Sequence, residues 1–452
     1  MKNIAPHFIP RFLFPLTTRI QASPVGYRLA RGTFWSLIGT VFARGFSVLA
    51  SIVVARQLGK EGFGELGIIQ STVLNLSVFT AYGLGMTATK HVAEFRANDP
   101  ERAGRILVLS GIVAAVSGAC LALVLTIIAP WLATHTLAAP QLAGLLRIGA
   151  LLLFLSSLNG AQVGALAGFE AFRTIARVNL LTGIPTFVCM VGGVLLGGLP
   201  GAVWGLVMGT AIGWLVAHLA VRKEAAKYGV PLSFRGIGRE IPILRNFSLP
   251  AILASALFGP VGWVCSAMLV NEQDGYAQMG IFNATNQWFA LIMFLPGLIG
   301  QVVLPILAES VGAGDTARSR RILQLTVMAN TVAVAPLVLI ASLASPWLMS
   351  LYGAGFAPAW PVMAISLATA GLLAVQNPVS QTLNAEGHLW TVFFMNLGWA
   401  VLFIGANVLL IDRGAAGLAT ARLIAYLFQS VVIVLLVFRS PAYRRKVGDV
   451  VI

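Results

Sequence analysis

Runs of about twenty apolar residues recur along this chain, and each has the length a helix needs to cross a ~30 Å hydrocarbon core at about 1.5 Å per residue. Twelve are read, at about 33–56, 65–89, 106–129, 143–168, 178–198, 201–221, 247–270, 278–307, 323–343, 361–383, 391–411 and 416–438. Charged residues make up 10% of the chain against 58% hydrophobic, and the mean hydropathy is +0.87. An average soluble domain carries roughly 25% charged residues, and surface this apolar is hard to cover in water. The expected fold is all-α, a polytopic membrane protein of about twelve transmembrane helices.

Charge orients the spans. Connections on the N-terminal side hold Arg28, Arg31, Lys90, Arg96, Arg102 and Arg105, then the central cluster Arg222, Lys223, Lys227, Arg235, Arg239 and Arg245, and later Arg318, Arg320 and Arg321. The opposite loops hold Arg56, Lys60 and Arg413. The positive-inside rule then places both termini in the cytoplasm. Residues 1–32, broken by Pro6, Pro10 and Pro15, lack the apolar core of a cleavable signal and read as a cytoplasmic arm. Topology and anionic headgroups account for the net charge of +15, and no basic face with interleaved aromatics points to nucleic acid.

Catalytic chemistry finds no foothold. Cys120, Cys189 and Cys265 all fall inside spans and read as small apolar residues, without a disulfide framework or a metal-binding Cys/His spacing. Phosphate-binding loops, His-Glu-x-x-His helices and nucleophile elbows are absent from the sequence, and the loops at 129–144 and 345–360 carry no acidic or histidine cluster. No cofactor, metal or catalytic residue is expected.

The chain repeats itself. GFGELGIIQSTVLN from Gly62 opens the second span and GYAQMGIFNATNQW from Gly275 opens the eighth. LAGFEAFRTIARVN from Leu166 follows the fourth span and is echoed more weakly by LNAEGHLWTVFFMN from Leu383, after the tenth. Two pseudo-symmetric six-helix bundles follow, 33–221 and 247–438, joined by a basic cytoplasmic linker at 222–246 and ending in a basic tail at 439–452. Such halves suit alternating access.

Arg44 stands in the middle of the first span, twelve residues past Gly32 and about 18 Å along a helix. Thr33, Ser36, Thr40, Arg44, Ser47 and Ser51 recur at three- or four-residue intervals on one face, a hydroxyl-lined stripe around a cation. An arginine there costs at least ~2.5 kcal/mol unless it meets water, a partner or a ligand. No Asp or Glu lies in the middle third of any span, so the reading that Arg44 awaits an anionic group outweighs the reading of a structural ion pair. Its planar fork suits phosphate. Asn283, Asn286 and Gln287 share a face of the eighth span, with Trp288 alongside as a surface for a sugar or as core packing. Asn377 and Gln381 stack with Ser380 and Asn384 in the tenth. These amides either touch substrate or bond between helices.

The stretch LGKEGFGELGIIQSTVLNLSVFTAYGLGMTATKHVAEF, from Leu58 to Phe95, resembles the signature of the polysaccharide flippases, the O-antigen or lipid-linked oligosaccharide flippases of the multidrug/oligosaccharidyl-lipid/polysaccharide exporter superfamily. Gly83 to Gly85 and the Phe247-Ser248-Leu249-Pro250 opening of the second half match the same pattern. The resemblance implies an inner-membrane transporter that turns an undecaprenyl-diphosphate-linked oligosaccharide toward the periplasm for surface or exported polysaccharide, with glycosyltransferases or a polymerase of that pathway as partners. It also implies a cationic cavity, which Arg44 fits. The second-half counterpart of Arg44 is Leu257, so a second deep cation is missing unless Arg422 or Arg147, both nearer the outer face, contributes. The alternative is a multidrug cation antiporter of the same superfamily, which would need a membrane carboxylate; a membrane enzyme of polysaccharide assembly ranks lower.

Overall fold

The computed structural model describes residues 24–243, 258–312, 315–385 and 389–439, with side-chain surroundings outside 24–38, 81–83, much of 301–316, 381, 383–389 and 436–439. Among the described residues there are helices and no strand. Seven stretches are long and apolar enough to cross a membrane: Gly39–Thr80, Pro100–Thr136, Leu142–Gly168, Phe172–Lys227, Ala317–Leu343, Ala357–Ser380 and Trp390–Leu435. Three of these, of 42, 56 and 46 residues, reach about twice the core thickness or more. Each folds back at a glycine, Gly59 with φ 69°, Gly198 with φ 59° and Gly414 with φ 59°, a left-handed conformation that a side chain would disfavour. Each of those three has the length for two crossings, and with Gly275–Gly312 and the shorter apolar Phe258–Val270 the described residues hold twelve helical arms, six in each repeat.

The helices are α1 (Pro24–Ser77, two arms meeting at Gly59), α2 (Gly83–Phe95), α3 (Pro100–Trp131), α4 (Leu142–Gly168) and α5 (Phe172–Lys227, two arms meeting at Gly198) in the first half. The second half holds α6 (Phe258–Val270), α7 (Gly275–Gly312), α8 (Thr316–Leu343), α9 (Trp360–Ala385), α10 (Leu389–Leu410) and α11 (Gly414–Arg439). A π-helical turn, Val78–Tyr82, carries the second crossing from α1 into α2. The repeat extends to the caps. Asp99 accepts from the Arg102 amide at 3.0 Å and Asp315 from the Arg318 amide at 2.8 Å, so the third crossing of each half starts from the same device.

The two copies of the repeated motif pack on each other. Gly64 lies under the Tyr276 carbonyl, Gly280 under the Lys60 carbonyl and Gly67 against the Asn283 amide, so a β-carbon at any of the three would collide with the opposite half. Around this joint Tyr276 Oη donates to the Leu137 carbonyl at 2.7 Å, Asn271 Nδ2 to the Thr136 carbonyl at 2.7 Å and Arg56 Nε to the Leu351 carbonyl at 2.6 Å. The connection at 345–360 folds inward, with Tyr352 fully buried and its ring 6.2 Å from that of Phe63. The main apolar core runs through both halves here, whereas at the opposite end smaller clusters such as Val92, Ala103 and Phe169 belong to the first half alone.

α5 continues past the expected limit at 221 to Lys227, because Glu224 there is held by the Thr174 hydroxyl at 2.7 Å. The linker then doubles back onto the first half. Buried Glu240 takes the guanidinium groups of Arg102 at 3.2 Å and Arg105 at 3.4 Å, and Tyr228 stacks on Phe169. The second echo, from Leu383, and the Phe247 to Pro250 opening fall on residues outside the fully described set.

Candidate functional site

The first arm of α1 lies against the first arm of α5 with Gly39 on the Ala176 backbone and Gly183 beside Ala43. This close approach turns the hydroxyl stripe in two directions. Thr40 accepts from Asn179 Nδ2 at 3.3 Å on the α5 side, while Ser47 and Ser51 line a cavity of about 190 Å³. Gln70 of the second crossing, Thr182 and Thr186 of α5 and Gln287 of α7 complete its polar wall, and Phe46, Phe63 and Phe187 its apolar one.

Arg44 lies one turn before Ser47 on α1 and is not among the residues that line this cavity. Its side chain is exposed, and its guanidinium carbon lies 5.9 Å from the Phe294 ring centroid on α7, so it points into the space between the halves. The ion pairs Arg96–Glu170, Arg102–Glu240, Arg105 with Glu101 and Glu240, and Lys227–Glu224 lie near one end of the bundle. Arg44 belongs to none of them. The site therefore presents a cation, neutral hydroxyls and amides, and aromatic faces, a set able to hold an oxyanion with an attached polar group.

Of the residues expected from the sequence, Ser47 and Gln287 share the cavity, while Arg44 lies outside its lining, against Phe294. Three others are engaged elsewhere. Asn283 Nδ2 donates to the Phe63 carbonyl at 3.3 Å across the joint, Asn286 Oδ1 accepts from Arg422 Nη1 at 3.1 Å, and Trp288 packs on the joint core. Asn377 is half-buried on α9, and the side chains of Ser36 and Gln381 lie outside the described set. Leu257 lies outside it too. Arg147 is turned away, with its Nε 3.4 Å from the Thr126 carbonyl on α3.

Gln70, Thr182 and Thr186 escaped the sequence reading. Gln70 occupies in GFGELGIIQ the position of Asn283 in GYAQMGIFN, so the repeat itself pointed to it. Asn179, Thr182 and Thr186 recur at helical spacing in the fifth crossing, a stripe like that of the first. The two threonine hydroxyls bond backward within the helix, Thr182 to the Asn179 carbonyl at 3.2 Å and Thr186 to the Thr182 carbonyl at 2.8 Å, which removes the penalty that would have flagged them.

Long apolar helices in two repeated halves, with a polar cavity and a cation outside the ion pairs of the described residues, define a multi-pass membrane protein of transporter fold. The chain belongs to the polysaccharide biosynthesis protein family, whose model matches residues 29–311. It is 27% identical to the EPS I polysaccharide export inner membrane protein EpsE of Ralstonia nicotianae over 85% of this chain and 88% of that one. It is 24% identical to the succinoglycan biosynthesis transport protein ExoT of Rhizobium meliloti, covering 86% of this chain and 75% of that one. Among solved structures, an inward-facing multidrug resistance MATE transporter of the MOP superfamily superposes with a TM-score of 0.71 at 16% identity, over 92% of this chain and 98% of that one. Lipid II flippase MurJ, in an inward closed conformation, gives 0.70 at 13%, over 90% and 88%. At these identities the likeness to the solved structures is one of fold, and the family read from Leu58 to Phe95 is the family found.

Proposed function

We propose that this protein flips a polyprenyl-diphosphate-linked oligosaccharide across the bacterial inner membrane by alternating access, for surface or exported polysaccharide. The observation that carries the proposal is Arg44 facing the seam between the halves, over Phe294 and outside any described ion pair, beside a polar cavity. Arg44 holds the diphosphate, Ser47, Gln70, Thr182, Thr186 and Gln287 offer hydroxyls and amides to the glycan, and the lipid tail stays in the bilayer. The relatives named for polysaccharide export and succinoglycan transport support this reading. Both termini are cytoplasmic, the halves are 33–221 and 247–438, and the enzymes that build or polymerise the glycan are the partners. The halves then meet at the outer end, so substrate enters from the cytoplasmic side and leaves when the joint opens.

Deleting the gene tests the proposal. A lipid-linked glycan should accumulate on the cytoplasmic side while export falls, and restoring the wild-type chain should reverse both. A deletion that halts export without any accumulated lipid-linked glycan would overturn the assignment of substrate.

A further inference from the structure

Arg422, on α11, is 8% exposed, and its guanidinium lies against two aromatic rings of α7, 5.0 Å from the Phe282 centroid and 4.4 Å from that of Phe289. Nη1 donates to Asn286 Oδ1 at 3.1 Å. Nε and Nη2 are buried and have no hydrogen-bond partner among the described residues. These two nitrogens lie on one edge of the guanidinium and direct parallel N–H bonds, the geometry that binds two oxygens of a carboxylate or phosphate at once. A buried cation whose hydrogen bond among the described residues goes to a neutral amide is costly, because both the charge and its unused donors have left water. Asn286 is itself exposed, so the fork lies one side chain from the space between the halves.

We infer that Arg422 forms a second, separate oxyanion site within the second half, beside Asn286 and against Phe282 and Phe289. Its ligand is a carboxylate or phosphate group, carried either by an acidic sugar of the cargo or by a free anion. The rings lie within cation–π distance of the guanidinium, and the Nε/Nη2 edge is the one left without a partner among the described residues, so a ligand with two acceptor oxygens is preferred to a neutral sugar or to chloride. The inference goes beyond the flipping proposal and holds whether or not Arg44 grips a diphosphate.

Thermal unfolding of the purified full-length protein in lipid nanodiscs tests it, with inorganic phosphate, glucuronate, glucose and chloride as probes at constant ionic strength. Glucuronate, phosphate or both should raise the midpoint by several degrees at saturation, while glucose and chloride should not. A response to glucuronate alone identifies a cargo sugar acid as the source; an equal response to phosphate identifies a free anion. Arg422→Lys, which keeps the charge and loses the fork, should weaken the response at least tenfold, and Arg44→Ala should keep it. Asn286→Asp supplies an internal carboxylate, so it should raise the midpoint without added anion and blunt the response. The site is refuted if no oxyanion stabilises the wild type, if glucose or chloride does so equally, or if Arg422→Lys and Asn286→Asp respond as the wild type does.

Discussion

Arg44 and Arg422 are both arginines inside membrane-crossing helices, both touch phenylalanine rings of α7, and their surroundings differ in every other respect. Arg44 is exposed at the seam, with its cation–π contact at 5.9 Å reaching across to the opposite half. Arg422 is buried inside its own half, against rings at 4.4 and 5.0 Å and bonded to Asn286. A cation at a seam can change partners when the halves move, because its surroundings are rebuilt at each step. A cation inside one half keeps its cage throughout. Intramembrane charge can thus serve a moving ligand or a fixed site, and packing decides which.

The largest effect expected from this difference is at Arg44. Arg44→Glu should abolish transport with membrane abundance preserved, and Arg44→Ala should slow it at least about tenfold, since a charged hydrogen bond is worth about 1.5–3 kcal/mol and 1.4 kcal/mol is tenfold. Arg44→Lys should keep partial function. Transport per folded molecule, measured beside abundance, reads the series; a fast, well-expressed Arg44→Ala protein would break the comparison at its functional end.

Accessibility should differ next. In a background lacking Cys120, Cys189 and Cys265, a membrane-impermeant thiol reagent applied from the cytoplasmic side should modify Arg44→Cys about tenfold faster than Arg422→Cys. Equal rates would place both residues in one compartment. Locking the joint sharpens this measurement: a short crosslinker between Thr136→Cys and Asn271→Cys, whose parent residues are bonded across the halves at 2.7 Å, should stop transport and leave Arg44→Cys reactive from the cytoplasmic side. Loss of that reactivity in the locked protein would show that the closed joint does not open the other end.

Stability should move the other way. Arg422→Ala empties the space beside Phe282 and Phe289, and a large-to-small change in a packed interior costs about 2–5 kcal/mol, so abundance should fall severalfold where Arg44→Ala leaves it intact. The smallest effect is at the strap. Glu240→Gln removes the charged partner of Arg102 and Arg105 on the first half alone, and should raise protease cleavage near Tyr228 severalfold without changing transport by more than about twofold.

How much of this was readable beforehand varies by element. The crossings were, because hydrocarbon demands some twenty apolar residues per span whatever the neighbours are. Turn positions were readable after the fact in Gly59, Gly198 and Gly414, whose positive φ suits only the residue without a side chain. The repeated Gly-aromatic motif was visible as an echo, but its meaning as a joint was hidden, since nothing in one strand of sequence says that Gly64 and Gly280 face each other's backbone. The candidate site was legible in part. Arg44 announced itself by the energy a charge needs in lipid, while Gln70, Thr182 and Thr186 were masked by ordinary polarity and local hydroxyl bonds.

That this chain is a helical membrane protein with an internal repeat and a cation at mid-span is written in its residues alone, because burial in hydrocarbon is a property of each segment summed over its own residues. Only the tertiary structure decided what the polar residues do. Asn283, Asn286 and Gln287 are near neighbours on one helix, yet one closes the joint, one holds Arg422 and one faces the cavity. Residues along a helix are separated by about 100° per position, so each meets a different neighbour, and the identity of that neighbour is written in another helix of the fold.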